Sequence, residues 1–236
     1  MRNRIVWLFS FGLAILTSHI PSAVSIELKE PDRWKDEVQR FEAADAVSPP
    51  PRSAIVFTGS SSIVFWSTLQ SDMAPLTVVN RGFGGSTARD LTYWLDPVVL
   101  KTKPRAVVVY EGDNDIGEAK LTAEEVIEDF KTLFARIHEH IPRVRIYVLS
   151  IKPTNLRWAL WPEMQRANGL MRSLCKKSDG VSYVDVATPM LDAHGQPRPD
   201  LFLADGLHMN SRGYAIWVSV LKPKLLTNER RYESGK

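Results

Sequence analysis

Ala106-Val107-Val108-Val109-Tyr110-Glu111-Gly112-Asp113-Asn114-Asp115 is the stretch that decides the architecture. Five apolar residues without a polar interruption need cover on both faces, as a strand inside a parallel sheet has. The run then stops in three carboxylates, a glycine and an amide. Similar short runs recur on either side, at residues 54–58, 77–80, 145–150 and 181–186. Between them lie stretches with helical patterning, at 63–71, 88–99, 123–140 and 163–177, and a last one at 211–226 closes the chain. Thr122-Ala123-Glu124-Glu125 supplies a capping box for the helix beginning near Ala123. Regular alternation of strand and helix predicts a doubly wound three-layer α/β/α sandwich with a parallel sheet. That domain is expected at 53–236. Before it, residues 26–52 give a polar helix, with Trp34, Val38 and Phe41 at helical spacing, and a lead-in through Pro49-Pro50-Pro51.

A chain of 236 residues suits one such domain and buries a core without staples. Its 44% hydrophobic and 24% charged residues are ordinary for a globular protein. The single cysteine, Cys175, excludes an intrachain disulfide framework and a cysteine metal cage, and is expected to be a buried, inert thiol. Arg2 and Arg4 precede an apolar run over residues 5–16, no acid appears before Glu27, and Ala23-Val24-Ser25 offers a small-residue cleavage site. That is the pattern of a secretory signal peptide over residues 1–25, with Ile26 as the new N-terminus and a periplasmic or extracellular destination. The apolar run is short for a bilayer span, which takes roughly 20 residues; an uncleaved anchor is the alternative. Removing the segment takes two of 30 basic residues and none of 27 acidic ones, so the net charge falls from +3 to +1. With no basic excess, nucleic acid is not an expected partner. Stable membrane insertion is not expected once the leader is removed.

In a doubly wound sheet, ligands bind beyond the carboxyl ends of the strands. After the first strand, Gly59-Ser60-Ser61-Ser62 runs into a helix, so a hydroxyl there is either a cap or a nucleophile beside free backbone N–H groups. After the second, Asn80-Arg81-Gly82-Phe83-Gly84-Gly85-Ser86-Thr87 reads as a tight turn or a source of oxyanion N–H groups. It fits no phosphate-binding glycine pattern. After the third, Glu111, Asp113 and Asp115 could hold a cation or orient a reacting carbonyl. Near the end, Asp205-Gly206-Leu207-His208 can pair a carboxylate with an imidazole. His194, in a turn, is the rival base. Arg81, Phe83, Trp66 and Trp158 are candidates to line a pocket. The seven tryptophans suit either sugar stacking or a core.

Taken in order, these blocks resemble the SGNH (GDSL-type) hydrolase family over about residues 53–226. Ile55-Val56-Phe57-Thr58-Gly59-Ser60-Ser61-Ser62 is similar to its Gly-Asp-Ser block, with Ser60 in the aspartate position. Asn80 to Ser86 is similar to its glycine block, Gly112-Asp113-Asn114-Asp115 to its Gly-x-Asn-Asp block, and Asp205 to His208 to its Asp-x-x-His block. The resemblance implies a flavodoxin-like sheet of five parallel strands in the order 2-1-3-4-5. It implies Ser61 as nucleophile, His208 as base and Asp205 as the residue orienting it. The Ser61 N–H, Gly85 N–H and Asn114 side chain would form the oxyanion hole. It implies ester hydrolysis with no metal or organic cofactor, on a small acyl ester or an acylated carbohydrate. A lysophospholipase- or thioesterase-type acylhydrolase, a catalytically silent carbohydrate-binding protein on this fold, and a metal-dependent hydrolase built on Glu111, Asp113 and Asp115 are the alternatives. Ser60 is expected to bond locally and hold the turn, and Ser62 to sit in the first helical turn as a cap.

Overall fold

The structure, a computed structural model, describes residues 32–233. The expected leader at 1–25 and the first residues of the lead-in lie outside the described residues. Five strands, β1 (Ile55–Gly59), β2 (Val78–Gly82), β3 (Ala106–Tyr110), β4 (Arg145–Leu149) and β5 (Val181–Val184), form one sheet in the order β2-β1-β3-β4-β5. Every pairing is parallel, with Phe57 opposite Val108 and Val108 opposite Tyr147 at its centre. This is the predicted sheet and strand order.

The helices are α1 (Lys35–Val47), α2 (Ser61–Val64), α3 (Leu69–Met73), α4 (Ala88–Tyr93), α5 (Leu95–Val98), α6 (Asp113–Gly117), α7 (Ala123–His140), α8 (Trp161–Lys177) and α9 (Ser211–Glu229). The two-residue period of a strand sorts its side chains into two cores. Val56, Val107, Val109, Ile146 and Val148 face α1, α4, α7 and α8, where Trp34, Leu91, Phe130, Leu133 and Met164 meet them. Ile55, Phe57, Val108, Tyr110 and Tyr147 face α9, where Trp66, Trp217 and Leu221 fill the other side. Each such fully buried side chain contributes about 1.5–3 kcal/mol relative to exposure.

Two predicted helices are broken. The stretch 63–71 splits into α2 and α3, and the link is tied where the Trp66 indole and the Thr68 hydroxyl both donate to Asp72 Oδ2, at 2.7 and 2.6 Å. The stretch 88–99 splits at Trp94, because Pro97 has no N–H to continue the ladder. α8 begins two residues earlier than predicted, with Pro162 in its first turn, where a missing N–H costs nothing.

The amino-terminal edge of the sheet is closed by the end of α9. Glu229 is fully buried, and its carboxylate accepts from the Tyr147 hydroxyl at 2.7 Å and from Arg145 Nη2 at 2.7 Å. Glu233 accepts from the Thr77 N–H (2.8 Å) and hydroxyl (2.7 Å) and pairs with Arg105. The residues just before β2 and β3 and the first residue of β4 are thereby laced together, leaving the carboxyl edge free for chemistry.

Candidate active site

At the carboxyl end of β1 the chain must turn hard beside β3. Gly59 has φ +127°, and a Cβ on it would lie 2.0 Å from the Tyr110 carbonyl oxygen, so only glycine fits. The Ser60 N–H then donates to that same oxygen at 3.2 Å. Ser61 follows as the first residue of α2, where an N–H has no intrahelical acceptor. α2 is a single turn, so the local N–H groups matter here rather than a long helix dipole.

His208 arrives from the loop before α9. Its Nε2 lies 3.1 Å from Ser61 Oγ and its Nδ1 2.7 Å from Asp205 Oδ2. Asp205 Oδ1 accepts the N–H groups of Leu207 and His208, both at 2.9 Å. These backbone bonds first, and His208 second, hold the Asp205 carboxyl down at about 2, so it stays ionised. The Phe65 ring meets His208 edge-on, 4.9 Å between centroids.

Neither neighbouring serine reaches the imidazole. Ser60 holds the turn through its backbone, its carbonyl accepting from Ile63 N at 2.8 Å, and its side chain makes no cap bond. Ser62 lies in the helical turn, but its hydroxyl is no cap: it is buried without a hydrogen-bond partner among the described residues. His194 sits in an exposed turn, its backbone N–H on Asp192 at 2.8 Å.

The glycine loop after β2 carries Gly85 at φ +79°, with open space where a side chain would stand. Next to it, Asn114 Nδ2 donates to the Ser86 carbonyl at 3.0 Å, and Asn114 Oδ1 accepts from Arg157 Nη1 at 3.1 Å. One amide hydrogen is thus engaged, the oxygen is identified by its donor, and the second N–H remains available. The Ser86 hydroxyl donates to Glu111 Oε1 at 2.6 Å.

The three carboxylates after β3 do not converge. Asp113 takes Lys152 Nζ (2.6 Å) on one oxygen and Arg157 Nη1 (2.6 Å) on the other. Asp115 accepts the N–H groups of Ala88 (2.9 Å) and Gly112 (2.8 Å), and burial raises its carboxyl to about 6. Glu111 is fully buried on Ser86, and burial pushes it well above the usual carboxylate range. Their oxygens are turned toward different donors, and no cluster suited to a metal occurs among the described residues.

Lys152 and Arg157, on the loop after β4, border the candidate site and are not singled out by the sequence pattern. Both are buried, and Arg157 Nη2 also reaches Glu118 at 2.6 Å. Two cations five residues apart, past a strand end and facing a carboxylate-rich loop, are the available signal. Three of the four pocket-lining candidates are buried in packing instead. Trp66 and Phe83 are core residues, and Arg81 is buried, paired with Asp45 and set over the Phe41 ring. Trp158 stacks on Trp161 at 5.8 Å between ring centroids. Trp34, Trp66, Trp161 and Trp217 are buried, so tryptophan here serves mostly the core. Cys175 is buried as expected, and burial pushes its thiol up to about 12.

Residues 45–216 match the GDSL-like lipase/acylhydrolase family. Among curated proteins, the chain is 29% identical over 203 residues to the platelet-activating factor acetylhydrolase IB subunit alpha1 of Pongo abelii, covering 82% of this chain and 83% of that one. Among solved structures, a Streptococcus pneumoniae protein superposes with a TM-score of 0.73 at 23% identity, over 82% of this chain and 93% of the other. A GDSL-like lipase from Bacteroides thetaiotaomicron gives 0.68 at 18%, over 80% and 97%. The two structural matches establish the fold alone. The family match covers most of the chain and contains Ser61, Gly85, Asn114, Asp205 and His208. The chain belongs to the GDSL-like lipase/acylhydrolase family, whose chemistry is the hydrolysis of acyl esters.

Proposed function

We propose that the protein is an exported serine esterase that cleaves esters of small acyl groups through a covalent acyl-enzyme on Ser61. The observation that carries this reading is the relay Ser61 Oγ, His208 Nε2, His208 Nδ1, Asp205 Oδ2, with contacts of 3.1 and 2.7 Å. An ionised Asp205 accepts the Nδ1 proton, which leaves Nε2 as the lone-pair site facing the hydroxyl. Ser61 Oγ attacks the ester carbonyl carbon as its proton passes to Nε2. The carbonyl oxygen becomes negative and is met by the N–H groups of Ser61 and Gly85 and the free N–H of Asn114. The imidazolium then protonates the leaving alcohol, and water repeats the sequence to release the acid. None of these steps calls for a metal or organic cofactor.

Two observations bear on the substrate. The Pongo abelii relative is named an acetylhydrolase, which supports a short acyl group. Phe65, Leu156 and Leu203 are half or more exposed. Phe65 lies against His208, the Leu203 N–H donates to the His208 carbonyl at 2.8 Å, and the Leu156 N–H to that of Gly206 at 3.1 Å. Apolar side chains beside the group that protonates the alcohol favour a leaving alcohol with an apolar portion over a bare sugar. Export rests on the Arg2 and Arg4 leader pattern.

A fluorophosphonate probe should leave one adduct, located on Ser61 by peptide mass spectrometry and absent in Ser61→Ala. p-Nitrophenyl esters of rising acyl length should show a maximum at the short end, with acetylated sugars as the comparison. An adduct on Ser60 or Ser62, or full activity in Ser61→Ala, would overturn the assignment.

A further inference from the structure

The Gly84 carbonyl and the Gly85 N–H belong to one planar trans peptide unit and therefore point in opposite directions. Whatever holds the carbonyl decides where the N–H points. That holder is Trp34, whose indole Nε1–H donates to the Gly84 oxygen at 2.8 Å. The next peptide unit is held too, because Arg33 Nη2 donates to the Gly85 oxygen at 3.1 Å. Gly85 has no side chain, and among the described residues nothing lies within 4 Å of where one would stand, so no side-chain packing of its own fixes its peptide. A turned peptide would aim the Gly84 carbonyl, not the Gly85 N–H, at a developing negative charge.

We propose that Trp34, assisted by Arg33, is a positioning residue for catalysis that locks the Gly84–Gly85 peptide with its N–H facing the oxyanion site. The inference rests on the reading of Gly85 as an oxyanion donor given above. Trp34 is itself firmly held, being 3% exposed and meeting Phe83 edge-on, 5.8 Å between ring centroids. Arg33 lies over the Trp34 ring at 3.6 Å and 3.6 Å from Asp90, but its side chain is 62% exposed, so it is the weaker clasp. The far side of the loop is pinned independently, where Ser86 meets Glu111 and Asn114. Both clasp residues precede the family match, which begins at residue 45. An element outside the matched region thus completes a site inside it.

Trp34→Phe keeps a ring and deletes the donor. With p-nitrophenyl acetate its kcat should fall roughly tenfold, the scale of one lost hydrogen bond, and less than the 10²–10³-fold loss of a donor itself. KM should stay within about twofold, because the interaction strengthens only as charge develops. Affinity for a boronic acid, which forms a tetrahedral adduct, should fall in step with kcat, while that for an unreactive amide analogue should not. Val38→Ala loosens the docking of α1 and leaves the donor in place; it should lower Tm and leave kcat near the parent value. Equal kcat losses in Val38→Ala and Trp34→Phe would reduce Trp34 to a packing residue and overturn the proposal. Should Trp34→Phe not fold, Arg33→Met decides, with a two- to fivefold fall in kcat at unchanged Tm expected and parental kcat overturning it. Asn114→Ala keeps the two levels apart. If it retains kcat, the oxyanion reading fails; if it loses kcat while Trp34→Phe does not, only the clasp fails.

Discussion

Lys152→Met tests the buried ion cluster that stands behind Asn114. Lys152 is 1% exposed, with its ammonium 2.6 Å from Asp113 and 3.1 Å from the Tyr110 hydroxyl. Burial pushes the Asp113 carboxyl up, and Lys152 and Arg157 more than offset that, so it sits below the usual value. Methionine fills much of the lysine volume and removes the charge. Breaking one side of a buried pair costs about 3–5 kcal/mol, and because Arg157 still holds the other Asp113 oxygen the lower end applies. At about 2–4 °C per kcal/mol for a domain this size, Tm should fall by about 6–12 °C. The deficit should depend on pH with a definite sign. In the variant the balance shifts toward burial, the Asp113 carboxyl rises, and the folded state takes up a proton the unfolded state lacks. Stability then declines as pH rises, so the gap to the parent should be wider at pH 8 than at pH 5. Adding Asp113→Asn should recover much of the loss. Scanning calorimetry at the two pH values reads all of this. Lys131, half exposed and 2.6 Å from an exposed Glu128, is the control, worth at most about 1 kcal/mol. A Tm loss for Lys152→Met no greater than for Lys131→Met, or a gap that widens toward low pH, would refute the argument.

Asn114→Ala should lower kcat by roughly 10²–10³-fold in steady-state assays with little change in KM. Stability should suffer only modestly, because Arg157 keeps Asp113 and Glu118 as partners and the Ser86 carbonyl alone loses a donor. Asp205→Asn should reduce kcat by up to roughly 10⁴-fold by releasing the tautomer of His208. Because the Asp205 carboxyl is depressed to about 2, its contribution to the fold is complete above about pH 4 and is lost only as pH falls through 2. The acid limb of the parental kcat/KM profile above pH 4 therefore does not belong to Asp205. A limb there that vanishes in Asp205→Asn, with residual activity flat down to pH 4, would contradict this.

Where local chemistry and tertiary context agree, the chain is readable without coordinates. β3 and α7 have the bounds read from the apolar run 106–110 and the Thr122 capping box. The serine triplet at 60–62 and the pair Asp205 and His208 stand where this topology places ligands, but choosing Ser61 among the three serines rests on the family resemblance and not on spacing. What is not legible lies in short irregular elements and in partners distant in sequence. The break between α2 and α3 involves Asp72, and α6 is a five-residue helix packed into the site, too short for periodicity to show. Lys152 and Arg157 look like ordinary surface cations until Asp113 is placed 39 and 44 residues away from them. Trp34 is legible as one of three apolar residues at helical spacing in a polar stretch, and it stands just before α1. Its bond to Gly84, 50 residues on, is not.

The lacing under the sheet also sets an order of events in time. Thr77, Arg105 and Arg145 stay without their carboxylates until Glu229 and Glu233 have left the ribosome, 84 to 156 residues later. A nascent chain can form α7 and pair early strands as they emerge, since those contacts are local or nearly so. The last cooperative step waits for the end of α9. During synthesis the domain therefore stays unfinished until its last helix has emerged and its two carboxylates reach the cations under the sheet.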